Sequence, residues 1–242
     1  MLLQKLRNIN ARIWPQHLFY GPNWLVLGVN NICNLHCKMC DVGVHYKESN
    51  FYHHLMGSKP VNMPLDLISS IIDQASHFYP NVKLGYAFTE PLIYPHLIES
   101  LVMAKSKNLR TAVTTNALNL RRYAEAILDS GLDNLFISLD GPPEIHNFIR
   151  GNSSSFEKAM EGIEYLLAKK NHPEVHVFCT ITEWNIGHLI KFVKLFSHLK
   201  LKQIGLMHMN FTTSNTATIH NEKFPNYKST SSNVSAIDIK SM

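Results

Sequence analysis

The stretch "WLVLGVNNICNLHCKMCDVG" (Trp24–Gly43) joins a short apolar run to a cluster of cysteines. The cluster contains Cys33, Cys37 and Cys40, which are three of the four cysteines in the chain. The run "WLVLGV" has the near-continuous apolar character of a strand that is buried on both faces of a parallel sheet. The three cysteines therefore follow a predicted strand directly, in the loop at its C-terminal end.

Further apolar runs of the same β-rich type recur along the chain, at 82–88, 110–115, 134–139, 174–181 and 202–209. Between them lie segments whose apolar residues recur every three or four positions, the period of an amphipathic helix. This alternation predicts parallel strands joined by right-handed crossovers. A complete eight-stranded barrel needs about 250 residues. Because the pattern ends after the sixth strand, an incomplete barrel and an open doubly wound sheet both fit it.

The length and composition are those of an ordinary globular protein with one sizeable core, because 45% of the 242 residues are hydrophobic. We expect an N-terminal extension over residues 1–23 and a core domain over 24–211. The stretch 212–242 is rich in Ser, Thr and Asn and has no clear period, which predicts loop or disorder. We expect this tail to mark the start of a missing C-terminal region.

The charge distribution and the lack of targeting signals indicate which partners and which compartment to expect. The formal net charge is +5, but the basic residues are scattered, whereas nucleic-acid binders concentrate them in a patch. A nucleic-acid partner is therefore not favoured. No apolar run approaches the ~20 residues that span a bilayer, and the first residues lack the pattern of a signal peptide. We expect a cytoplasmic protein, in which clustered thiols indicate metal or redox chemistry and not disulfides.

Three closely spaced thiols leave two kinds of metal site open. A structural zinc site needs four ligands, and His36, Asp41 or His45 could supply the fourth. Alternatively, three cysteines can hold a [4Fe–4S] cluster and leave one iron without a protein ligand. The cysteines lie where barrel and open α/β enzymes carry their active sites, at the C-terminal ends of the strands. This position favours a catalytic cluster over a closed structural site.

The Cys-x3-Cys-x2-Cys spacing after a first strand resembles that of the radical S-adenosylmethionine (SAM) superfamily. The similarity continues after the next strands. "FTEPL" (Phe88–Leu92) is similar to the family's Gly-Gly-Glu-Pro motif, with both glycines replaced, and "TTNA" (Thr114–Ala117) to its Thr-Asn-Gly motif. "SLDGPPEIHNFIRG" (Ser138–Gly151) resembles the branch that includes peptide maturases and the molybdenum-cofactor cyclase. Of the two folds left open, we expect the α/β fold of an incomplete (βα)6 TIM-like barrel.

The resemblance implies an enzyme in which Cys33, Cys37 and Cys40 bind a [4Fe–4S] cluster and SAM binds at the open iron. One electron from the reduced cluster would cleave SAM, and the resulting 5′-deoxyadenosyl radical would take a hydrogen atom from a small-molecule or peptide substrate. A low-potential donor such as flavodoxin or ferredoxin would supply the electron. The alternative from another class is a zinc-stabilised binding module without catalysis.

Further SAM contacts are implied for the residues that match the family's motifs, which are Met39, Glu90, Asn116, Ser138, Asp140 and Arg150. Met39 would pack near the adenine, Glu90 would hold the methionine ammonium, and Arg150 would pair with the SAM carboxylate. Plainer interpretations stay open: a helix N-terminal acid for Glu90, a helix cap for Asn116, a turn for Asp140, and a surface salt bridge for Arg150. The fourth cysteine, Cys179, is predicted to be core packing.

Overall fold

Six parallel strands form one sheet in the computed structural model, which describes residues 2–14, 16, 21–50, 52–53 and 59–231. The strands are β1 (Trp24–Leu27), β2 (Lys83–Tyr86), β3 (Arg110–Thr115), β4 (Asn134–Ser138), β5 (Glu174–Ile181) and β6 (Gln203–His208). Every pair of neighbouring strands is parallel. The strands predicted at 110–115 and 174–181 coincide with β3 and β5, and the other four are shorter by one to three residues.

The strand order distinguishes between the two folds that the sequence left open. The order in the sheet is β1-β2-β3-β4-β5-β6, so each strand lies beside the next one in the chain. A doubly wound sheet would reverse its order at a switch point. The sheet therefore winds in one direction, as in a barrel, and β1 and β6 remain as its two edges. The prediction of an incomplete (βα)6 TIM-like barrel is confirmed.

Helices lie between the successive strands, as the alternating pattern predicted, and two further helices outside that pattern lie before β1 and after β6. They are α1 (Leu2–Ile13), α2 (Leu65–Phe78), α3 (Leu97–Ser106), α4 (Leu120–Asp129), α5 (Pro143–Arg150), α6 (Ser155–Leu167), α7 (Leu189–Leu195) and α8 (Ser214–Lys223). Short 3-10 turns lie at Pro91–Ile93 and Ile186–His188. Within the part of the chain that the structure describes, no helix has the length and apolar character needed to span a membrane.

The hydrophobic core lies between the sheet and its helices. Leu84, Leu135 and Val177, from β2, β4 and β5, have no exposed surface. Burial on both faces was predicted for every strand, and this is wrong at the two edges. Trp24 of β1 is 42% exposed and Leu206 of β6 is 47% exposed, because an edge strand has a neighbour on one side only.

The tail departs from its prediction. The sequence indicated loop or disorder from residue 212 onward, whereas residues 214–223 form α8. The side chain of Thr213 caps this helix by accepting a hydrogen bond from the backbone N–H of Thr216 at 3.1 Å. Ala217 is its single buried residue, so no apolar stripe marks the helix in the sequence. Residues 1, 15 and 17–20 of the expected extension and 232–242 of the expected tail lie outside the described residues.

Helices α4 and α6 pack so closely that the contact requires a glycine. A Cβ atom added at Gly162 of α6 would lie 2.7 Å from the Cβ of Leu120 and 3.0 Å from the backbone nitrogen of Arg121. Neither atom can move without shifting α4. Gly187, in the second 3-10 turn, has no atom within 4 Å of the same added Cβ.

We expect Gly162→Ala to lower the free energy of unfolding by about 1–3 kcal/mol, because the added methyl group forces the two helices apart. This cost outweighs the higher helix propensity of alanine. Thermal denaturation followed by circular dichroism measures the effect, with Gly187→Ala as the matched control. Equal melting temperatures for the two variants would contradict the close packing.

Candidate active site

A cavity of about 600 Å³ lies at the C-terminal edge of the sheet. Its lining comes from the last residues of strands β3, β4 and β5 and from the segments that follow β1, β2 and β6. From the predicted site it contains Cys33, Cys37, Met39, Cys40, Glu90, Asn116, Ser138 and Arg150. Predicted residues up to about 120 positions apart in the sequence therefore line the same cavity, because parallel strands end at the same edge of the sheet.

The three clustered cysteines are free thiols that line this cavity together. Their loop turns tightly, with the backbone N–H of Cys40 donating to the carbonyl of Cys37 at 3.1 Å. Burial raises the pKa of Cys33 to about 11 and also raises that of Cys37. The thiolate forms therefore need positive charge beside them, which bound iron would supply. Cys179 is fully buried and lies outside the cavity lining, as its packing role predicted.

The C-terminal end of helix α5 is hydrogen-bonded to the cysteine loop. The backbone N–H of Lys38 donates to the carbonyl of Ile149 at 2.9 Å, and that of His36 to the carbonyl of Arg150 at 3.3 Å. The guanidinium of Arg150 also lies against the loop, with Nη1 3.6 Å from the Sγ of Cys37. A positive charge thus faces one of the three candidate cluster ligands.

Arg150 is itself fixed by Asp140, in an ion pair with 2.6 Å between Nε and Oδ2. Asp140 is fully buried and does not line the cavity. Its Oδ1 accepts from the backbone N–H of Thr180 at 2.9 Å, and its carbonyl accepts from Asn185 at 2.8 Å. The Nδ1 of His146 accepts from the N–H of Asp140, and burial lowers the pKa of this histidine, which stays neutral.

These contacts bear on two of the plainer interpretations. The salt bridge of Arg150 is not at the surface, because its partner has no exposed area and Arg150 itself is only 8% exposed. Asp140 lies two residues after the end of β4 and just before a turn, yet its carboxylate connects this strand end to β5 and to α5. A direct contact between Asp140 and SAM stays a prediction. In the structure, Asp140 fixes the position of Arg150 through their ion pair.

Glu90 is fully buried, and its carboxylate accepts three hydrogen bonds. Its Oε1 accepts from the N–H of Leu92 at 2.9 Å and from the hydroxyl of Thr115 at 2.6 Å. Its Oε2 accepts from the N–H of Asn116 at 2.7 Å. Burial raises the pKa of Glu90, and the three hydrogen bonds oppose this shift. Glu90 caps the first 3-10 turn, as the plainer interpretation expected, and it also lines the cavity.

Asn116 connects the strand ends to the cysteine loop. Its Nδ2 donates to the Oδ1 of Asn34 at 2.8 Å and lies 3.9 Å from the Sγ of Cys33. It is not the cap of α4, because that position belongs to Asn119. Instead, its Oδ1 accepts from the N–H of Leu118 at 2.9 Å, which closes a turn at the end of β3. Asn116 is thus held beside a candidate cluster ligand from two sides.

Phe88 and Thr89 replace the two glycines of the resembled motif, and Phe88 keeps a backbone conformation suited to glycine. Phe88 has a φ of +81°, in the left-handed region that costs most residues about 1–2 kcal/mol. Its side chain is 63% exposed and lines the cavity. The hydroxyl of Thr89 donates to the carbonyl of Asn30 at 2.9 Å, which connects this loop to the end of β1. A strained residue of this kind is typical of functional loops.

Several cavity residues have no counterpart in the sequence-based prediction. They are Ser49, Asn50, Thr114, Thr115, Thr180, Met209, Asn210, Phe211, Thr212, Lys228, Ser229 and Thr230. Thr114, Thr115 and Thr180 could have been found as polar residues at predicted strand ends, whereas Ser49 and Asn50 lie far from any of them. Met209, Asn210 and Phe211 lie at or just after the end of the last predicted strand and carried no signal of a site. The remaining four fall in the stretch that was interpreted as loop or disorder.

The donor side chains in the cavity can be compared with the needs of the two kinds of metal site. Among the described residues, no group of three or more His, Cys, Asp or Glu side chains is arranged to hold a single metal ion. A [4Fe–4S] cluster makes a different demand, because each cysteine binds a different iron of the cluster. Three free thiols on one cavity wall suit a cluster, and the cavity volume is within the usual range for small-molecule and cofactor sites.

The fold and the site together define an α/β enzyme of the radical SAM type. The family model of the Radical SAM superfamily matches residues 28–196, and the chain belongs to that family. The chain is 27% identical over 173 residues to an AdoMet-dependent heme synthase from Oleidesulfovibrio alaskensis, covering 71% of this chain and 41% of the synthase. It is 30% identical over 181 residues to GTP 3',8-cyclase from Alkaliphilus oremlandii, covering 72% of this chain and 52% of the cyclase.

Solved structures show the same fold. Streptococcus suis SuiB bound to its precursor peptide SuiA matches with a TM-score of 0.66 and 17% identity, over 86% of this chain and 44% of SuiB. The enzyme anSMEcpe with bound AdoMet matches with a TM-score of 0.61 and 22% identity, over 77% of this chain and 52% of its own. The chain thus spans about half or less of the length of these proteins. The cofactors of the family are a [4Fe–4S] cluster and SAM.

We expect Glu90→Gln to lower the free energy of unfolding by about 1–3 kcal/mol. In either orientation, the amide NH2 of glutamine would face a buried backbone N–H, that of Leu92 or that of Asn116, and leave it without an acceptor. Urea denaturation measures the loss, with the exposed Glu183→Gln as the control. Equal stability of the Glu90 variant and the wild-type protein would contradict an ionised Glu90 that accepts three hydrogen bonds.

Proposed function

We propose that this chain is the core of an enzyme that binds a [4Fe–4S] cluster through Cys33, Cys37 and Cys40 and cleaves SAM reductively. The observation that carries the proposal is the meeting of three free thiols with a buried carboxylate and polar side chains in one cavity at the strand ends. Three cysteines leave one iron without a protein ligand, and SAM would bind there through its amino and carboxylate groups.

A bound and reduced cluster held by Cys33, Cys37 and Cys40 would supply the electron for cleavage of the S–C5′ bond of SAM, and the cleaved cofactor would take a hydrogen atom from the substrate. Clusters with reduction potentials of roughly −400 to −700 mV suit this task. The chain's own residues hold the cofactor in place and keep water from it. We propose a low-potential electron donor such as flavodoxin or ferredoxin, and the cytoplasm as the compartment.

Glu90 is proposed to hold the methionine ammonium. Its Oε1 already accepts two hydrogen bonds from the protein, whereas its Oε2 accepts one within the described residues, so Oε2 has capacity for a further donor. The charge-assisted hydrogen bond between the two groups would contribute roughly 1.5–3 kcal/mol to binding. The same contact would favour the ionised form of the buried carboxylate.

Arg150 is proposed to supply positive charge to the SAM carboxylate, with Asp140 as the residue that positions it. Arg150 lines the cavity, and its Nε is paired with Asp140 at 2.6 Å. Asn116 and Ser138 also line the cavity and are proposed as polar contacts to SAM, and Met39 as the side chain that packs on the adenine. Met is a flexible, polarisable residue that suits such a contact.

Both substrate classes expected from the sequence remain proposals, a small molecule and a peptide. The similar proteins include a heme synthase and a GTP cyclase, and the similar structures include SuiB bound to its precursor peptide. The zinc-stabilised binding module is not favoured, because the described thiols are not arranged around one ion and the chain belongs to a family of enzymes.

After anaerobic reconstitution, we expect about four irons and four sulfides per chain. Cys37→Ala should lose the iron and the formation of 5′-deoxyadenosine from SAM and dithionite, because it removes a proposed ligand. Cys179→Ala is the matched control and should keep both, at a stability cost of ~1 kcal/mol for a small buried group. Iron and sulfide analysis and chromatography of the nucleoside provide the readouts.

Two results would contradict this proposal. One is a colourless wild-type protein that holds a single zinc ion after reconstitution with iron, sulfide and zinc present. The other is loss of iron in the folded Cys179→Ala variant, which would make Cys179 a ligand although it lies outside the cavity lining.

A further inference from the structure

The chain's own segment 227–230 lies at the cavity that the cysteines line. Residues 228–230 contribute to the cavity lining together with Asn50, from the region that follows the cysteine loop. The segment comes after α8 and is held between α8 on one side and Asn50 on the other. It therefore forms part of the wall of the cavity that is proposed as the reaction site.

Asn221 of α8 binds both main-chain groups of one residue in this segment. The N–H of Ser229 donates to the Oδ1 of Asn221 at 2.7 Å, and the Nδ2 of Asn221 donates to the carbonyl of Ser229 at 3.0 Å. A primary amide that pairs with the N–H and the carbonyl of the same residue reproduces the pairing that a neighbouring strand gives. This contact does not depend on the side chain of the residue it holds.

Further contacts hold the residues on either side, again mainly through the main chain. The Nε2 of His220 donates to the carbonyl of Tyr227 at 2.7 Å. The Nδ2 of Asn50 donates to the carbonyl of Lys228, and the N–H of Asn50 donates to the hydroxyl of Thr230 at 3.0 Å. Four of these five hydrogen bonds, counting the two to Ser229, go to main-chain groups.

Side-chain packing adds little to the attachment of the segment. Tyr227 is 78% exposed and Phe224, just before the segment, is 45% exposed. Burial of apolar surface is what normally fixes a segment against a protein. Residues 227–230 are instead held by amide and imidazole groups that bind mainly to their main-chain atoms.

We propose that Asn50, His220 and Asn221 form a binding site for an extended peptide, and that residues 227–230 fill this site until a peptide substrate replaces them. We call these three residues the backbone clamp. The inference rests on the proposed function. Of the two substrate classes proposed there, the clamp favours a peptide. Asn50 of the clamp lines the same cavity as the three cysteines, as do residues 228–230 that the clamp holds. A peptide that replaced residues 228–230 would therefore lie beside the group that would react with it.

The test uses Ser229→Pro to release the chain's own segment, since proline lacks the N–H that Asn221 binds. The probe is a fluorescein-labelled peptide with the sequence of residues 226–231, titrated into reconstituted protein with SAM and followed by fluorescence anisotropy. The variant should bind the probe at least about tenfold more tightly than the wild-type protein, because a tethered segment competes at millimolar effective concentration.

Adding Asn221→Ala to the Ser229→Pro variant should abolish this gain. Adding Asn215→Ala, at an exposed asparagine of the same helix, should leave it unchanged. A probe that binds the Ser229→Pro variant no more tightly than the wild-type protein, or that binds equally with and without Asn221, would overturn the clamp.

A second measurement needs no released segment. Millimolar unlabelled peptide should speed amide hydrogen exchange in residues 227–231 of the wild-type holoenzyme, and unchanged exchange would overturn the clamp as well. These readouts are separate from SAM cleavage. Formation of 5′-deoxyadenosine without peptide binding would reject the clamp alone, whereas peptide binding to a protein that never cleaves SAM would reject the proposed function alone.

Discussion

The buried ion pair between Asp140 and Arg150 is the interaction on which the geometry of the site depends. It joins the end of β4 to the last residue of α5, and through them it fixes β5 and the cysteine loop. Removing one partner of such a pair typically costs about 3–5 kcal/mol, because the other charge is left buried and unpaired. The pair fixes Arg150 against Cys37, where its positive charge favours the thiolate form.

Glu90, which follows β2, similarly connects the segments at the C-terminal ends of β1 and β3. Its carboxylate binds Thr115 and Asn116 at the end of β3, and its main chain binds Ile32 and Asn30 in the segment after β1. The contacts of these two buried residues therefore connect the segments at the C-terminal ends of β1 to β5 around one cavity. The charges that are proposed to hold a metal cluster and a charged cofactor therefore also connect the strand ends to one another.

The strand alternation predicted the parallel sheet and the cysteine spacing predicted one part of the cavity lining, because both are local patterns in the sequence. The choice of the barrel over a doubly wound sheet came from the resemblance of the motifs. The sequence could not indicate that Asp140 faces Arg150, because that contact depends on how α5 packs against the loop. It also gave no sign of α8, whose stability comes from a cap and one buried alanine and not from an apolar stripe. The contribution of residues 228–230 was missed for the same reason, since their position depends on Asn221 of that helix.

The central claim is that three cysteines leave one iron open for SAM. The most direct measurement is electron–nuclear double resonance on the reduced holoenzyme with SAM that carries ¹⁵N in its amino group. The account predicts a ¹⁵N coupling to the cluster, which disappears when unlabelled SAM replaces the labelled cofactor. SAM that is bound by the protein, shown by equilibrium dialysis, with an intact cluster and no ¹⁵N coupling would contradict it.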